Sequence, residues 1–196
     1  MPVEGRAVAG RDVHSPTDRP APPKTVAVID IGSNAVRMVI AQVHADGTVE
    51  TLERTSKPVR LGHSTFVSGR LGRETSNAAI AILRDYRRIL DTYKVDHVQA
   101  VATTAVREAA NRDAFVDRVA VTTGLTVDVI EPVEEGRLAV SAVRNALGES
   151  GAIREGSAII VEIGGGSGLV TFLQDGEILG SESYNLGSIR LQEVLD

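Results

Sequence analysis

Two stretches of this chain repeat the same order of features, and this repeat limits the possible folds more than any other property of the sequence. Residues 25–47 read TVAVIDIGSNAVRMVIAQVHADG, and residues 157–176 read SAIIVEIGGGSGLVTFLQDG. Each stretch is an apolar strand, an acid, Ile-Gly, a small polar turn, a second apolar strand and an Asp-Gly turn. Similarity in a fixed order indicates a duplicated structural unit.

The region between the two copies alternates predicted strands and helices. After the first copy we expect a strand at 48–59, a helix from Thr75, a strand at 97–103, short helices at 105–110 and 113–123, a strand at 125–130 and a helix from Pro132 towards Leu147. Strands that alternate with crossover helices favour an α/β sheet that is at least partly parallel.

The repeat also sets the expected domain boundaries. We expect a disordered leader at residues 1–24, a first domain at 25–131, and at 132–196 a linking helix with the start of a second domain. The leader is predicted because it is rich in Pro, Arg, Asp and Ala and lacks the apolar core of a signal peptide. Since the second unit is much shorter than the first, the second domain is expected to be incomplete and the chain to be a fragment that is weakly active at best on its own.

Composition excludes several classes of function. The net charge is −5 and no block of Lys and Arg stands out, so a surface for duplex nucleic acid is not expected. The chain has no Cys, which excludes disulfides and thiolate metal sites. No apolar run reaches the roughly 18 residues that a membrane span needs. A cytoplasmic location is expected by default.

The turn of the first copy carries polar side chains. Gly32 lets the backbone turn with its amides outwards, where amides can bind phosphate oxygens, and Ser33 and Asn34 add side-chain donors. Asp30 ends the preceding strand, where its carboxylate could hold Mg²⁺ directly or through water. The alternative is an ordinary polar hairpin turn, and this stretch alone does not exclude it.

The turn of the second copy, residues 162–168, contains four glycines. Each ordered glycine costs roughly 0.5–1 kcal/mol relative to alanine, so a ligand that closely approaches the backbone is expected. Phosphate is the usual ligand. A flexible hairpin is the alternative, but it does not explain the repeated acid-Ile-Gly pattern. Two such loops would face each other across a cleft, which suits a chain of phosphates better than a single one.

Charged residues near the repeat add two further candidates. Glu134 and Glu135 lie in the first turn of a predicted helix, where one would face the cleft and the other would favour the helix dipole. A carboxylate near bound phosphates has a raised pKa and can deprotonate an attacking water. Arg107 follows a predicted strand and could hold a phosphate with two hydrogen bonds. Plain helix acids and a surface arginine remain the alternatives.

In their order and spacing, these motifs together resemble the exopolyphosphatase and guanosine pentaphosphate phosphohydrolase family (Ppx/GppA) over about residues 26–196. The resemblance implies the actin, Hsp70 and sugar-kinase type of fold, in which two ribonuclease-H-like α/β domains enclose a phosphate-binding cleft. It implies hydrolysis of terminal phosphoric anhydride bonds in inorganic polyphosphate or guanosine pentaphosphate, with Mg²⁺ as cofactor. The choice between these substrates, and homodimer formation by the full-length protein, stay open.

The resemblance also assigns roles to individual residues. Glu135 matches the catalytic base of the family, and Asp30 and Glu162 are implied as residues that hold the metal. The residues implied in phosphate binding are Gly32, Ser33, Asn34, Arg107, Gly164, Gly165, Gly166 and Ser167.

The chain departs from the family pattern at three positions. Glu162 stands where Asp is usual, and Gly136 replaces the Ala that usually follows the acid pair. After Ser167 the family usually has Thr-Glu, whereas here Gly168 leads straight to Leu169, so an acid expected near the metal or water is missing. A non-catalytic sensor of polyphosphate or a guanosine alarmone is therefore the alternative function, and a kinase-like phosphotransferase is a third hypothesis.

Overall fold

The computed structural model describes residues 21–148 and 153–195 of the 196-residue chain. Most of the predicted leader, residues 1–20, lies outside the described residues, and its last residue, Lys24, already belongs to the first strand. In chain order the elements are β1 (Lys24–Ile31), β2 (Ala35–Val43), β3 (Val49–Pro58), α1 (Leu61–Ser68), α2 (Arg73–Tyr93), β4 (His97–Ala102), α3 (Thr104–Arg107), α4 (Arg112–Thr123), β5 (Val127–Val129), α5 (Pro132–Leu147), β6 (Ser157–Ile163), β7 (Gly168–Gln174), β8 (Glu177–Tyr184) and α6 (Ser188–Leu195).

The first sheet has five strands in the order β3-β2-β1-β4-β5. Strands β1, β2 and β3 pair antiparallel, whereas β4 and β5 join parallel to β1 through crossover helices. This mixed sheet confirms the expected α/β class and the ribonuclease-H-like arrangement. The carboxyl ends of the parallel strands β1, β4 and β5 lie at one edge, where ligands of such sheets bind.

Burial of apolar side chains holds this first unit together. Ile29 and Ile31 on β1 are fully buried, and α2 covers the sheet with Leu83 and Tyr86. The Tyr86 hydroxyl donates to the carbonyl oxygen of Val36 at 2.9 Å, which satisfies the one polar group of that side chain inside the core. The core therefore fixes the end of β1, from which the first polar turn emerges.

The second sheet has three antiparallel strands in the order β6-β7-β8. Helix α5 packs on one of its faces, where Thr171 and Leu173 are buried. The approach is closest at Gly136, where an added Cβ would lie 2.2 Å from the Ser181 hydroxyl oxygen. On the opposite face, Ile159 is 61% exposed, so this sheet is covered on one side within the described residues.

The structural repeat is longer than the sequence repeat. Both copies continue into a third strand and a short helix, so that β1-β2-β3-α1 corresponds to β6-β7-β8-α6. The sequence analysis did not predict α1, β8 or α6. Both helices have only eight residues, a length at which tertiary contacts rather than intrinsic helix propensity decide helix formation.

No helix among residues 21–148 and 153–195 combines the length and the apolar character that crossing a membrane requires.

Candidate active site

A cavity of about 430 Å³ lies where the polar turns of the two copies meet helix α5. Ten of the residues singled out in the sequence line it: Asp30, Gly32, Ser33, Asn34, Glu135, Glu162, Gly164, Gly165, Gly166 and Ser167. Arg107 is not part of its wall. The structure thus brings the two turns and one acid of the Glu-Glu pair to a single site.

The first turn, residues 32–34, is held by the start of α1. The Ser33 carbonyl oxygen accepts a hydrogen bond from the Gly62 amide at 2.8 Å. The Asn34 carbonyl oxygen accepts from the amides of Val59 and Arg60 at 2.9 and 3.0 Å. Ser33 is buried, while Asn34 is exposed and can reach a ligand with its side chain. Two carbonyl oxygens of the turn are therefore hydrogen-bonded within the protein.

The second turn, residues 164–167, packs directly against the first. A Cβ added at Gly166 would lie 2.6 Å from the Ser33 hydroxyl oxygen and 2.8 Å from the Thr104 Cβ, so only glycine fits. Beside this contact, the hydroxyls of Thr104 and Ser167 share a buried hydrogen bond of 2.9 Å. The Ser167 hydroxyl thus links the second turn to α3.

Backbone amides of both turns are available to a ligand. Within the part of the chain that the structure describes, five turn amides donate to no protein acceptor, and all five belong to residues that line the cavity: Ser33, Asn34, Gly165, Gly166 and Ser167. Clustered N–H groups of this kind form anion-binding concavities. The site can therefore supply several donors to phosphate oxygens without breaking a hydrogen bond within the described part of the protein.

Arg107 lies behind Glu135 and holds it. Its Nη1 donates to the Ile130 carbonyl oxygen at 2.7 Å and to Glu135 Oε2 at 3.3 Å, and its Nη2 donates to Thr104 Oγ1 at 3.4 Å. The two side chains of the ion pair are only 10% and 20% exposed. Arg107 therefore orients the carboxylate from the protein side.

The surroundings of Glu135 favour its protonated form. Burial raises the pKa of the carboxyl, the Arg107 charge and hydrogen bond lower it, and the charges of Glu162 and Asp30 raise it again, with a net increase. A carboxylate with a raised pKa is a stronger base towards water than an exposed one. The effect of Glu162 and Asp30 also shows that three acids share this cavity.

Glu134 differs from its neighbour in the acid pair. Its carboxylate accepts two hydrogen bonds from Arg137, at 2.8 and 2.7 Å, on the exposed side of α5. These bonds lower the pKa of Glu134. Of the two acids that the sequence left open, Glu135 is the one that lines the cavity.

Two carboxylates, Asp30 and Glu162, stand at the ends of β1 and β6 in the cavity wall. Asp30 pairs with Arg37 at 3.0 Å. Among the described residues, no three His, Cys, Asp or Glu side chains come close enough together to bind a metal. Mg²⁺ commonly binds one or two carboxylates together with substrate phosphates and water. The donors therefore fit an ion that binds with a phosphorylated substrate, and do not form an all-protein cage.

Sequence reasoning missed two arginines of this site. Arg37 pairs with Asp30 in the β1–β2 register, and the hairpin spacing alone could have found it. Arg190 on α6 donates from Nε to the Gly166 carbonyl oxygen at 2.8 Å. A sequence signal for α6 is a repeated Leu-Gly pair. It occurs at 61–62, where α1 begins, and again at 186–187, directly before α6.

Comparison with known proteins assigns the family. A profile of the Ppx/GppA phosphatase family matches residues 39–195. Exopolyphosphatase 2 of Mycobacterium tuberculosis is 33% identical over 86% of this chain and 54% of its own length. The guanosine-5'-triphosphate,3'-diphosphate pyrophosphatase of Aliivibrio fischeri is 30% identical over 86% of this chain and 32% of its own length.

A solved structure agrees with these sequence relatives. The Ppx/GppA family member of Aquifex aeolicus is 36% identical and superposes with a TM-score of 0.72, over 88% of this chain and 54% of that one. The chain thus spans about half the length of the mycobacterial relative and of the Aquifex structure. The family profile, the 33% identity to the mycobacterial relative and the 36% identity to the Aquifex structure together show that this chain belongs to the Ppx/GppA phosphatase family.

Proposed function

We propose that the cleft binds a chain of phosphates and hydrolyses its terminal phosphoric anhydride bond, with inorganic polyphosphate or guanosine pentaphosphate as substrate. One observation carries this proposal: a half-buried carboxylate with a raised pKa, Glu135, lines the same cavity as five backbone amides without protein acceptors. The two curated relatives named above are an exopolyphosphatase and a guanosine pentaphosphate pyrophosphatase, which supports both substrates as candidates.

In the proposed reaction a water molecule attacks the terminal phosphorus, and a Glu135 carboxylate oxygen accepts its proton. The bridging P–O bond breaks, so that orthophosphate leaves and the remaining chain is one phosphate shorter. The amides of both turns donate to the phosphoryl oxygens, where negative charge develops in the transition state. General-base assistance of this kind contributes typically about 10²–10⁴-fold to the rate.

The charges of the cavity support Mg²⁺ as the cofactor of the proposed reaction. Asp30, Glu135 and Glu162 all line it, and within the described residues Arg37 is the only basic side chain in its wall. A polyanion would be repelled by three carboxylates. Asp30 and Glu162 would hold Mg²⁺ together with substrate phosphate oxygens. Bound there, the ion supplies positive charge that offsets this repulsion and the charge of the leaving group.

Arg107 acts in this proposal as a positioning residue. Its hydrogen bonds to Ile130, Thr104 and Glu135 fix the direction of the base and limit the rise of its pKa. Direct contact between Arg107 and phosphate, as the resemblance implies, stays a prediction. It requires the guanidinium to exchange at least one of these protein acceptors for the ligand.

A non-catalytic sensor is the second candidate, and one position favours it. Gly168, where the family usually continues with Thr-Glu, begins β7 as a buried residue whose added Cβ would lie 3.2 Å from Ile163 Cδ1. No acid from this position reaches the water or the metal. In this alternative the two turns and Mg²⁺ bind the phosphate chain, but Glu135 has no correctly placed water to deprotonate.

Phosphate release separates the two candidates. The full-length protein is incubated as wild type, Glu135→Gln and Glu134→Gln with Mg²⁺ and either long-chain polyphosphate or guanosine pentaphosphate, and orthophosphate is measured. The hydrolase proposal predicts release by the wild type, retained activity in Glu134→Gln, and a loss of about 10²-fold or more in Glu135→Gln. Binding of polyphosphate without release by the wild type would contradict hydrolysis and support the sensor. Equal loss in both variants would contradict the assignment of the base.

A further inference from the structure

We propose that α6, through Arg190, is the positioning element that directs the amides of the second turn into the cavity. The inference rests on the proposed phosphate binding and adds a part of the chain that no phosphate-loop motif includes. It assigns Arg190 the role of a positioning residue that acts through the backbone of the turn, with no contact of its own with the substrate.

Three consecutive carbonyls of the second turn are bound by α6. The Gly164 oxygen accepts from the Ser188 amide at 2.9 Å. The Gly165 oxygen accepts from the amides of Ile189 and Arg190, at 2.9 and 3.2 Å. For the third carbonyl, that of Gly166, the donor is the Arg190 Nε atom at 2.8 Å. The first turn of a helix has unsatisfied amides, and here they meet the unsatisfied carbonyls of a loop.

Peptide geometry converts these contacts into a direction for the amides. In a planar trans peptide the C=O and the following N–H point in opposite directions. Because the carbonyls of residues 164–166 point to α6, the amides of Gly165, Gly166 and Ser167 point away from it. These are three of the five amides without a protein acceptor among the described residues, and all three belong to the cavity wall.

The Arg190 side chain also ties this arrangement to the first copy. Its Nη2 donates to Glu108 Oε2 at 2.5 Å, and its guanidinium lies 4.1 Å from the centre of the Phe66 ring. The side chain is only 14% exposed, so its bonds are little weakened by solvent. Removing it would leave the Gly166 carbonyl without its donor and Glu108 without its partner.

The chain before α6 passes so close to the turn that no side chain fits. A Cβ added at Gly187 would lie 2.2 Å from the Gly166 carbonyl carbon and 2.4 Å from both the Gly165 oxygen and the Ser167 nitrogen. All three neighbours are backbone atoms, which cannot rotate away. The α6 segment is therefore fitted to the turn at two places, by steric contact at Gly187 and by hydrogen bonds from Arg190.

The test compares Arg190→Gln, Arg190→Lys and a control, Arg88→Gln, which removes the same charge at an exposed pair on α2. Tripolyphosphate with Mg²⁺ is titrated calorimetrically into each protein. Loss of a charge-assisted hydrogen bond predicts about tenfold weaker binding in Arg190→Gln. Arg190→Lys, which keeps the charge but cannot reach both acceptors, should fall between Arg190→Gln and the wild type, and the control should match the wild type. Equal binding by folded Arg190→Gln would overturn the inference.

A second readout does not depend on ligand binding. In ¹H–¹⁵N spectra of the ligand-free protein, Arg190→Gln is expected to shift the amides of residues 165–167 more than those of residues 33 and 34. Unchanged amides at 165–167 would overturn the positioning role. If these amides shift but the wild type does not bind tripolyphosphate, the positioning role stands and the proposed phosphate binding fails.

Discussion

The two copies of the repeat build their polar turns by the same plan. In each copy the turn follows the first strand, and its carbonyls accept hydrogen bonds from the start of the helix after the third strand. A Leu-Gly pair lies at the contact both times, and the glycine lies against the turn: Gly62 near Ser33 and Gly187 near Gly166. The common plan makes the differences between the copies informative.

The copies differ in what holds the turn in shape. The first turn emerges from a strand whose Ile29 and Ile31 are fully buried, and it adds polar side chains. The second emerges from a strand whose Ile159 and Val161 are 61% and 60% exposed. It consists of glycines apart from Ser167, whose hydroxyl is paired with Thr104. Its shape therefore depends on α6 and on packing against the first copy. We conclude that substitutions at the second turn should affect ligand binding before they affect folding of the first sheet.

The largest effect is expected from Gly166→Ala. The new methyl would lie within 2.8 Å of Ser33, Phe66 and Thr104, so the two turns must separate. We expect about 1–3 kcal/mol lower stability from overpacking and loss of measurable tripolyphosphate binding. Urea unfolding and calorimetry test both. In the matched control Gly164→Ala the methyl meets only the Ser167 oxygen at 3.4 Å, and near wild-type stability is expected. Equal behaviour of the two variants would contradict close packing of the turns.

The next largest effect is expected at the corresponding glycines of the two copies, Gly62 and Gly187. Gly187→Ala places a methyl against backbone atoms at 2.2–2.4 Å, whereas the closest neighbour at Gly62 is the rotatable Phe66 ring, at 2.5 Å. Gly187→Ala should therefore weaken tripolyphosphate binding more than Gly62→Ala, by about tenfold if the difference is about 1.4 kcal/mol. A larger effect of Gly62→Ala would reverse the comparison and show that the first turn is the more constrained one.

The pH dependence follows from Glu135. Its pKa lies above the ordinary value of 4.5, mainly because of burial. As the proposed base, Glu135 must be ionised, so activity should fall as the pH drops through this raised pKa. Arg107→Gln removes the influence that lowers the pKa and should move the acid limb of the rate profile to higher pH. Arg137→Gln, beside the exposed Glu134, should leave the limb in place, and a shift in that control would count against the assignment.

The same pKa has a consequence for folding. Because the pKa is higher in the folded protein than in the unfolded chain, protonated Glu135 favours the folded state. This contribution is complete below pH 4.5 and is lost as the pH rises through the folded-state pKa. Unfolding free energies of the wild type relative to Glu135→Gln, measured across this range, should decline with rising pH. A difference that is independent of pH would contradict the raised pKa.

The smallest expected effect concerns the hydrogen bond between Thr104 on α3 and Ser167 in the second turn. Thr104→Val removes the hydroxyl that meets Ser167 at 2.9 Å, and with it the 3.4 Å hydrogen bond from Arg107, while keeping the shape of the side chain. We expect about 1 kcal/mol lower stability, and a double-mutant cycle with Ser167→Ala should show coupling of similar size. Additive effects of the two substitutions would mean that this bond does not couple α3 to the second turn.

The sequence predicted much of the first sheet and the location of the turns, because these depend on local patterns. Strand β1 is apolar and is followed by Gly-Ser-Asn, residue types that favour turns. The sequence missed α6 because its eight residues carry no long amphipathic stripe, and the helix depends on the carbonyls of residues 164–166. Helix position alone left open which acid of the pair lines the cavity, because that depends on packing; the family resemblance pointed to Glu135, which is the one in the cavity wall.

The central claim is that two turns from the two copies bind one phosphate chain together. The most direct measurement is a tripolyphosphate titration with Mg²⁺, followed through the backbone amide signals of Ser33, Asn34, Gly165, Gly166 and Ser167. We predict that all five signals move together with one dissociation constant. Movement of the signals of only one turn, or two clearly different dissociation constants, would contradict a shared site.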